Sequence, residues 1–374
     1  MRCHIRTSLI IGLLLIIPGQ AFSANSKIAE LKAVSGEVWL IVPPQKEEIP
    51  AQAPQGLLAG TRFRTGAESS AEVVFPDGSI LKIRSNSAMQ LSPHKRRAQG
   101  KKSVLLFFGR LWNKVVKKVG AESSYEITTA NAVCGVRGTE FETAVGEDGT
   151  VRVRVLEGAV SVAGDADENL LKAGTEAQAN ENGVGKSRKV SKKPGWRAWD
   201  RSKLRRFGQK AKPIIDNLKR SAQFRKSLIE KLRREQKKLI DDHKHAKDRL
   251  EMGDPRAADA IRSIKKRLDD VANKLADAGD RIGAQAGLVD RFADLASDPR
   301  FKMIDRKYLE IEARNLRKVQ SNLDKLVKEG IDISAAAMDD LLKEMRNHDG
   351  KLKDKKGSSK DDLFGPGGND LDFR

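Results

Sequence analysis

The chain has 374 residues, which is too long for one compact core of average size and suits two domains. Apolar residues make up 39% of the sequence, charged residues 33% and aromatic residues only 5%, so much of the length must be solvated helix surface rather than packed interior. The net charge of +20 comes almost wholly from residues beyond 180. This uneven distribution excludes a single uniform domain, because the first half of the chain is near neutral and the second half is basic.

Residues 1–24 have the features of a secretory signal peptide. Two arginines precede an apolar run at residues 9–17, and small residues follow that run as far as Ala24. The run is shorter than the ~20 residues that span a bilayer, so we expect cleavage after Ser23 or Ala24, with an uncleaved anchor helix as the alternative. The protein is therefore expected to be exported, to the periplasm first of all, with the cell surface or secretion as alternatives.

The cysteine content excludes a disulfide framework within the chain. Cys3 belongs to the predicted signal peptide, and Cys134 is then alone, which also excludes a cysteine-based metal site. We expect Cys134 to be a small buried residue in a strand, and a disulfide-linked dimer is the alternative.

Residues 31–180 have the pattern of an all-β domain. Short β-branched and apolar runs are separated by glycine or by turn pairs such as Asp77-Gly78. In the run 151–156, valines alternate with Arg152 and Arg154, which predicts a strand with one buried face. Gly-x-Val/Leu and Gly-Thr recur at irregular intervals, which predicts a winding β fold with glycine at its corners.

The order of these signals resembles the FecR domain family. The matching stretches are Gly36-Glu37-Val38 and residues 58–66, 75–79, 109–112, 129–141 and 155–160. The resemblance implies a small all-β fold, solenoid-like or sandwich-like, and a periplasmic setting, because the best-known members pass a periplasmic signal to a cytoplasmic sigma factor. We expect the sigma-regulating half to be missing here, so the resemblance implies fold and compartment better than role.

The most specific part of the resemblance is a six-residue motif, for which we expect a structural role. We expect the guanidinium of Arg137 to satisfy buried carbonyls or Glu140 rather than to contact a ligand. The motif consists of Val136, Arg137, Gly138, Thr139, Glu140 and Phe141.

Residues 213–348 are predicted to form an all-α antiparallel bundle or coiled coil, with three long helices and a shorter one at 334–346. Each long helix has an apolar stripe that must be buried, either within the chain or in a homo-oligomer. The segment 349–374 is predicted to be a disordered tail. The stripes are Ile229, Leu232, Leu239, Ala246 and Leu250; Ile261, Ile264, Leu268, Val271, Leu275, Ala278 and Ile282; and Leu309, Leu316, Val319, Leu323 and Leu326.

Residues 181–212 are predicted to be a basic linker and are the best functional candidate. From Lys186 to Lys212 there are twelve basic residues and one acid, which suits binding to lipid headgroups, lipopolysaccharide or cell-wall polymers while tryptophan rings insert. A plain solvated linker is the alternative, and nucleic acid is disfavoured because an exported chain rarely meets it. The predicted contacts are Lys186, Arg188, Lys189, Lys192, Lys193, Trp196, Arg197, Trp199, Arg201, Lys203, Arg205 and Arg206.

The sequence contains none of the common nucleophile, phosphate-loop or zinc-hydrolase motifs. His243 and His245 are two residues apart and would point to different faces of a helix, so we expect no metal, no cofactor and no enzyme. The sequence predicts an exported interaction or scaffold protein of the cell envelope, with the FecR-like domain as its recognition module. The alternatives are a periplasmic sensor of a ligand or receptor, and a purely structural coiled-coil scaffold.

Overall fold

The computed structural model describes residues 27–93, 102–117, 125–191, 195–254, 256–297 and 306–361, with side chains to residue 343 in the last range. Within these ranges, a region of eighteen strands is followed by three long helices, which confirms the predicted order of an all-β part and an all-α part. The predicted signal peptide lies outside the described residues and stays a prediction.

The strands divide into two hydrogen-bonded sheets that share β9 (Lys102–Lys114). One sheet has the order β4-β1-β6-β7-β9-β12-β13-β16, with β17 and β18 on β16, and the other has the order β3-β2-β5-β8-β9-β10-β11-β14-β15. The other strands are β1 (Ala29–Ser35), β2 (Val38–Ile41), β3 (Ile49–Pro50), β4 (Gln55–Leu57), β5 (Arg62–Thr65), β6 (Ser70–Val74), β7 (Ile80–Ile83), β8 (Ala88–Leu91), β10 (Tyr125–Thr128), β11 (Val133–Val136), β12 (Glu140–Val145), β13 (Val151–Glu157), β14 (Ala159–Ala163), β15 (Glu168–Lys172), β16 (Thr175–Asn180), β17 (Gly183–Val184) and β18 (Arg188–Lys189).

Strand β9 bends from one sheet into the other at Gly109, whose φ is +93°. Residues 104–108 pair with β8, and residues 109–114 pair with β12. A Cβ atom at Gly109 would overlap Ser87, so only glycine fits this bend. Positive φ also occurs at other places where the chain changes sheet, and the glycines among them confirm the predicted glycine corners; these are Gly36, Gly138, Gly158 and Gly174. Asn86 has the same type of conformation between β7 and β8.

The core of the β region lies between the two sheets and takes side chains from both. Tyr125 is buried there, and its hydroxyl donates a hydrogen bond of 3.0 Å to Oδ1 of Asn113. Cys134 on β11 is fully buried, as predicted, and this burial raises the pKa of its thiol to about 12. The thiol is therefore uncharged at neutral pH and behaves as a small apolar residue.

The helices are α1 (Trp196–Glu251), α2 (Ala257–Ser297) and α3 (Arg306–Asp361). Short connections make α1 antiparallel to α2 and α2 antiparallel to α3, as predicted. Surface ion pairs follow this arrangement: Arg267 lies 3.4 Å from Glu235 across α2 and α1, and Nε of Arg317 lies 2.6 Å from Oδ1 of Asp290 across α3 and α2.

The predicted stripes are buried against one another within the chain, and every predicted stripe residue of α2 is buried. In α3 the prediction is wrong at Val319, which is 43% exposed, while Gln320 is buried beside Leu316 and Leu323. Since the packed stripe advances by four and then three from Leu316, position 320 faces inward and position 319 lies at its flank.

The predicted boundaries also differ from the structure. The segment 181–212 is not a free linker, because β17 and β18 pair with β16 and α1 begins at Trp196. Pro213 does not begin a helix; it lies inside α1, where its ring crowds the preceding turn and Lys210 has non-helical angles. Helix α3 continues to Asp361, so there is no separate short helix, and only residues 362–374 of the predicted tail lie outside the described residues.

The bend at Gly109 provides a test of the two-sheet arrangement. Gly109→Ala should lower the free energy of unfolding by about 3 kcal/mol, because left-handed φ and overlap with Ser87 add together. Gly174→Ala is the matched control: Gly174 has φ of +77° but no atom within 4 Å of an added Cβ, so the loss there should be about 1 kcal/mol. Urea unfolding measures both, and equal losses would contradict the close packing at Gly109.

Candidate functional site

The helix bundle is joined to the β region where α2 crosses β9. Gly283 and Gly287 lie one helical turn apart on α2 and face Leu105 and Phe107 of β9. A Cβ atom at Gly283 would lie 2.8 Å from Leu105, and one at Gly287 would overlap the ring of Phe107. The missing side chains therefore allow the helix to approach the sheet closely, and Ala284 completes the small apolar cluster between them.

Polar contacts fix the same junction. Asp280 of α2 is fully buried and accepts hydrogen bonds from the hydroxyls of Ser92, at 2.7 Å, and Ser103, at 2.8 Å. Arg291 forms a two-pronged ion pair with Glu147 at 2.8 and 2.6 Å. Because these pairs are directional and partly or wholly buried, they set the orientation of α2 on the β region.

A second ionic cluster is centred on Asp165, in the turn between β14 and β15. Its Oδ1 accepts from Arg225 of α1 at 2.8 Å and from Arg281 of α2 at 2.7 Å. Partial burial opposes the charge of Asp165, but the two guanidinium groups outweigh it and hold its pKa below the ordinary value. Burial acts the other way on Arg281, whose pKa falls to about 10. This cluster ties both helices to one turn.

The two tryptophans predicted to insert into a surface pack against the β region instead. The ring of Trp196 lies over the guanidinium groups of Arg152, Arg110 and Arg154, at 4.8, 5.1 and 5.6 Å. Trp199 is 8% exposed and meets Trp196 edge to face at 5.9 Å. The flat guanidinium groups thus provide a cation–π platform for Trp196 within the chain, and ring insertion into a surface stays a prediction.

The side of β13 that carries Arg152 and Arg154 is buried as well, whereas the alternation of valine and arginine had predicted a strand with only one buried side. Arg152 and Arg154 are each 5% exposed, and both bind Glu176, at 2.8 and 3.2 Å. Arg154 also pairs with Glu142. The carboxylates of Glu176 and Glu142 and the indole of Trp196 replace the water that these charged groups would otherwise need.

Several predicted surface contacts are used to hold α1 to the β region. Arg206 pairs with the buried carboxylate of Asp148 at 2.8 Å and with Glu181. Lys203 donates to Gln178 at 3.1 Å. The Arg188 side chain is exposed but still binds Glu176, at 2.9 Å.

The remaining basic residues form an exposed set. Arg197, Arg201 and Arg205 are four residues apart and therefore share one face of α1, and no ion pair is seen for them within the described ranges. We call these three residues the arginine face. Lys186 and Lys189 are also exposed, next to β18. Lys192 and Lys193 lie outside the described residues.

In the six-residue motif, the predicted contact of the Arg137 guanidinium with carbonyls or Glu140 stays a prediction, and the Arg137 side chain is exposed. Thr139 is buried, and its hydroxyl donates to the carbonyl of Ala159 at 2.9 Å. Gly138 takes a φ of +63° at the change from β11 to β12. The flanking Val136 and Phe141 belong to the core, and Glu140 lies half-buried on β12.

Comparison with known proteins confirms the resemblance to the FecR family. Residues 61–161 match the family model described as FecR protein, so this part of the chain is FecR-like. No protein of curated function matches the chain.

Two crystal structures of a candidate anti-sigma factor from Parabacteroides distasonis ATCC 8503 are similar at 19% identity. One, at 2.50 Å resolution, has a TM-score of 0.31, with 35% of this chain and 60% of that chain covered. The other, at 1.65 Å, has a TM-score of 0.32, with 37% and 63% covered. The chain thus spans less than two thirds of either, and such TM-scores do not establish a common fold.

Two further observations concern the described residues only. Among them, no helix combines the length and the apolar character needed to cross a membrane. The same residues contain no group of three or more side chains arranged to hold a metal ion.

The Asp165 cluster predicts a pH dependence. Since its pKa is lowered in the folded state, its contribution is complete above the unfolded value of about 3.9 and is lost as pH falls through the folded pKa. Its carboxylate is 44% exposed, so we expect Asp165→Asn to cost only about 1 kcal/mol at pH 7 and nearly nothing near pH 2. Urea unfolding at both pH values measures this. Asp332→Asn, at an exposed site of α3, is the control, and a pH-independent loss at Asp165 would contradict the ionic role.

The indole stack predicts a second effect. Trp196→Ala should lower the free energy of unfolding by about 3 kcal/mol, because three guanidinium groups lose their cover. Trp196→Phe keeps a ring and should lose roughly half as much. Chemical denaturation followed by circular dichroism compares them. An alanine variant as stable as the native chain would show that the Trp196 ring does not stabilise the three arginines beneath it.

Proposed function

We propose that this chain is a non-enzymatic, exported cell-envelope interaction protein whose FecR-type region is a recognition module and whose helix α1 binds an anionic surface. The observation that carries the proposal is the arginine face. Within the basic segment it supplies three exposed guanidinium groups that are not used in described ion pairs. The periplasm, as the compartment implied by the predicted signal peptide, is part of the same proposal.

The spacing of the arginine face suits a surface better than a single small ligand. Side chains four residues apart lie about 6 Å apart along the helix axis, so the three charges can meet successive headgroups or wall anions. Each basic residue near an anionic lipid surface contributes about 1 kcal/mol, and the attraction is screened by salt. The expected binding is therefore moderate and strongly dependent on ionic strength.

Attachment through α1 would also position the FecR-type region. Trp196 precedes the arginine face and Arg206 follows it, and both are bound to the β region: Trp196 packs on Arg152, and Arg206 pairs with Asp148. A surface held by Arg201 would therefore meet the β region in one orientation rather than at the end of a free tether. This supports a scaffold that presents a recognition module.

A sensor in signal transduction is the second candidate function. It is favoured by the FecR match at residues 61–161, because that family carries the signalling-related association. In this role the β region would bind a ligand or a receptor, and a membrane partner would supply the connection to the cytoplasm. Crosslinking in intact cells that captured a receptor or transporter on the β region would favour this role over surface attachment.

Co-sedimentation tests the surface proposal. The full chain should pellet with anionic liposomes or purified cell-wall sacculi at low salt and be released as salt is raised. The triple variant Arg197→Gln, Arg201→Gln and Arg205→Gln should bind at least about tenfold more weakly, since roughly 3 kcal/mol of attraction is removed.

The control for this experiment removes the same charge elsewhere. Arg314→Gln, Lys318→Gln and Lys325→Gln change three exposed basic residues of α3 and should leave most of the binding intact. Equal losses in the two triple variants would mean that net charge alone acts, and undiminished binding of the α1 variant would refute the arginine face as the contact.

A further inference from the structure

A cleft of about 400 Å³ lies between the β region and α1, further along the helix than the arginine face. One wall consists of the turns at residues 164–167 and 180–183, and the other is the face of α1 at residues 217–224. Its volume falls within the roughly 300–1,000 Å³ of small-molecule sites, and such sites often lie where two parts of a protein meet.

The cleft contains hydrogen-bonding groups that the protein leaves unused. Glu181 accepts from Arg206 through Oε1, but its Oε2 is buried and has no hydrogen-bond partner. Asn217 uses its Oδ1, which accepts from Arg220 at 3.4 Å, and leaves its amide NH₂ group available. The side chain of Asn182 forms no hydrogen bond with any other described residue. The lining residues therefore include one unpartnered acceptor and two unused amide groups, which suits a ligand that both donates and accepts.

The charges around the cleft are nearly balanced. Asp165 is paired with Arg225 and Arg281, and Glu181 is paired with Arg206. The remaining charged side chains of the lining, Asp167 and Arg220, have opposite signs. An anionic ligand would approach three carboxylates, and a cationic ligand would approach guanidinium groups already held by their partners. The balance therefore favours a neutral ligand.

One side of the cleft is an aromatic ring. Phe224 is 53% exposed on a helix whose other large apolar residues mostly face the bundle, so its position is not explained by core packing. A ring beside unused hydrogen-bonding groups provides a flat apolar surface and a polar rim together. The C–H face of a sugar ring packs on such a surface, and its hydroxyl groups both donate and accept.

We propose that this cleft binds a short neutral saccharide, with the ring of Phe224 beneath a sugar ring and with Glu181, Asn182 and Asn217 bonded to its hydroxyl groups. The site uses none of the arginine face and does not depend on the proposed surface attachment. Since its walls come from the β region and from α1, a bound saccharide would contact both parts of the chain.

Saturation-transfer NMR with the full chain tests this proposal. The probes are the N-acetylglucosamine trimer, maltotriose and cellotriose, with the glucosamine trimer as a cationic comparator and the galacturonic acid trimer as an anionic one. At least one neutral trimer should bind, and more tightly than either charged trimer. Phe224→Ala should weaken that binding about tenfold through the loss of ring contact.

Val319→Ala is the matched control, because it truncates another exposed apolar side chain, on α3, that does not belong to the cleft lining. Its binding should equal that of the native chain. Thermal unfolding shows whether Phe224→Ala is folded; if it is not, Asn182→Ala, in an exposed turn, takes its place with the same expectation of weaker binding. Failure of all three neutral trimers to bind, preference for a charged trimer, or unchanged binding by the cleft variant would overturn the proposal.

Discussion

Strand β9 is the part of the molecule on which both sheets and the helix bundle depend. Its two halves pair into different sheets because Gly109 permits a bend that no side chain would allow. Its outward residues Leu105 and Phe107 would be exposed apolar surface in an isolated β region, and α2 covers them with glycines 283 and 287. The β region and the helices therefore share an apolar contact in addition to their ion pairs.

The basic charge of the chain is divided between two uses. Arginines on the outer face of β13 are buried under Trp196 and neutralised by Glu176, so they hold the start of α1 in place. The arginine face points to solvent on the other side of the same helix turns. Basic residues of β13 thus serve the internal contact and those of the arginine face the proposed external one, and net charge alone does not distinguish the two sets.

Sequence reasoning succeeded where a pattern depends on neighbouring residues. The glycine corners, the FecR-type motif and the α2 stripe follow from local conformation and helical spacing, which are written in short windows. The position of a residue is not predictable from the sequence where it depends on a partner that is distant in the chain. Trp196 could not be separated from a membrane-inserting ring, because Arg110 lies 86 positions earlier in the chain and Arg152 44 positions earlier. The misplaced Val319 shows the same limit, since the partner helix selects which of two adjacent residues is packed.

The sequence by itself determined the division into an all-β part and an all-α part, the family of the first part and the antiparallel order of the helices, because each follows from periodicity, turn residues and short connections. Only the tertiary structure decided which charges are buried, that β17, β18 and the start of α1 pair and pack where a linker was predicted, and that a cleft forms beside Phe224. These features arise from contacts within the β region and between the β region and α1 or α2. Their free energy depends on burial and pairing in three dimensions, which residue spacing does not encode.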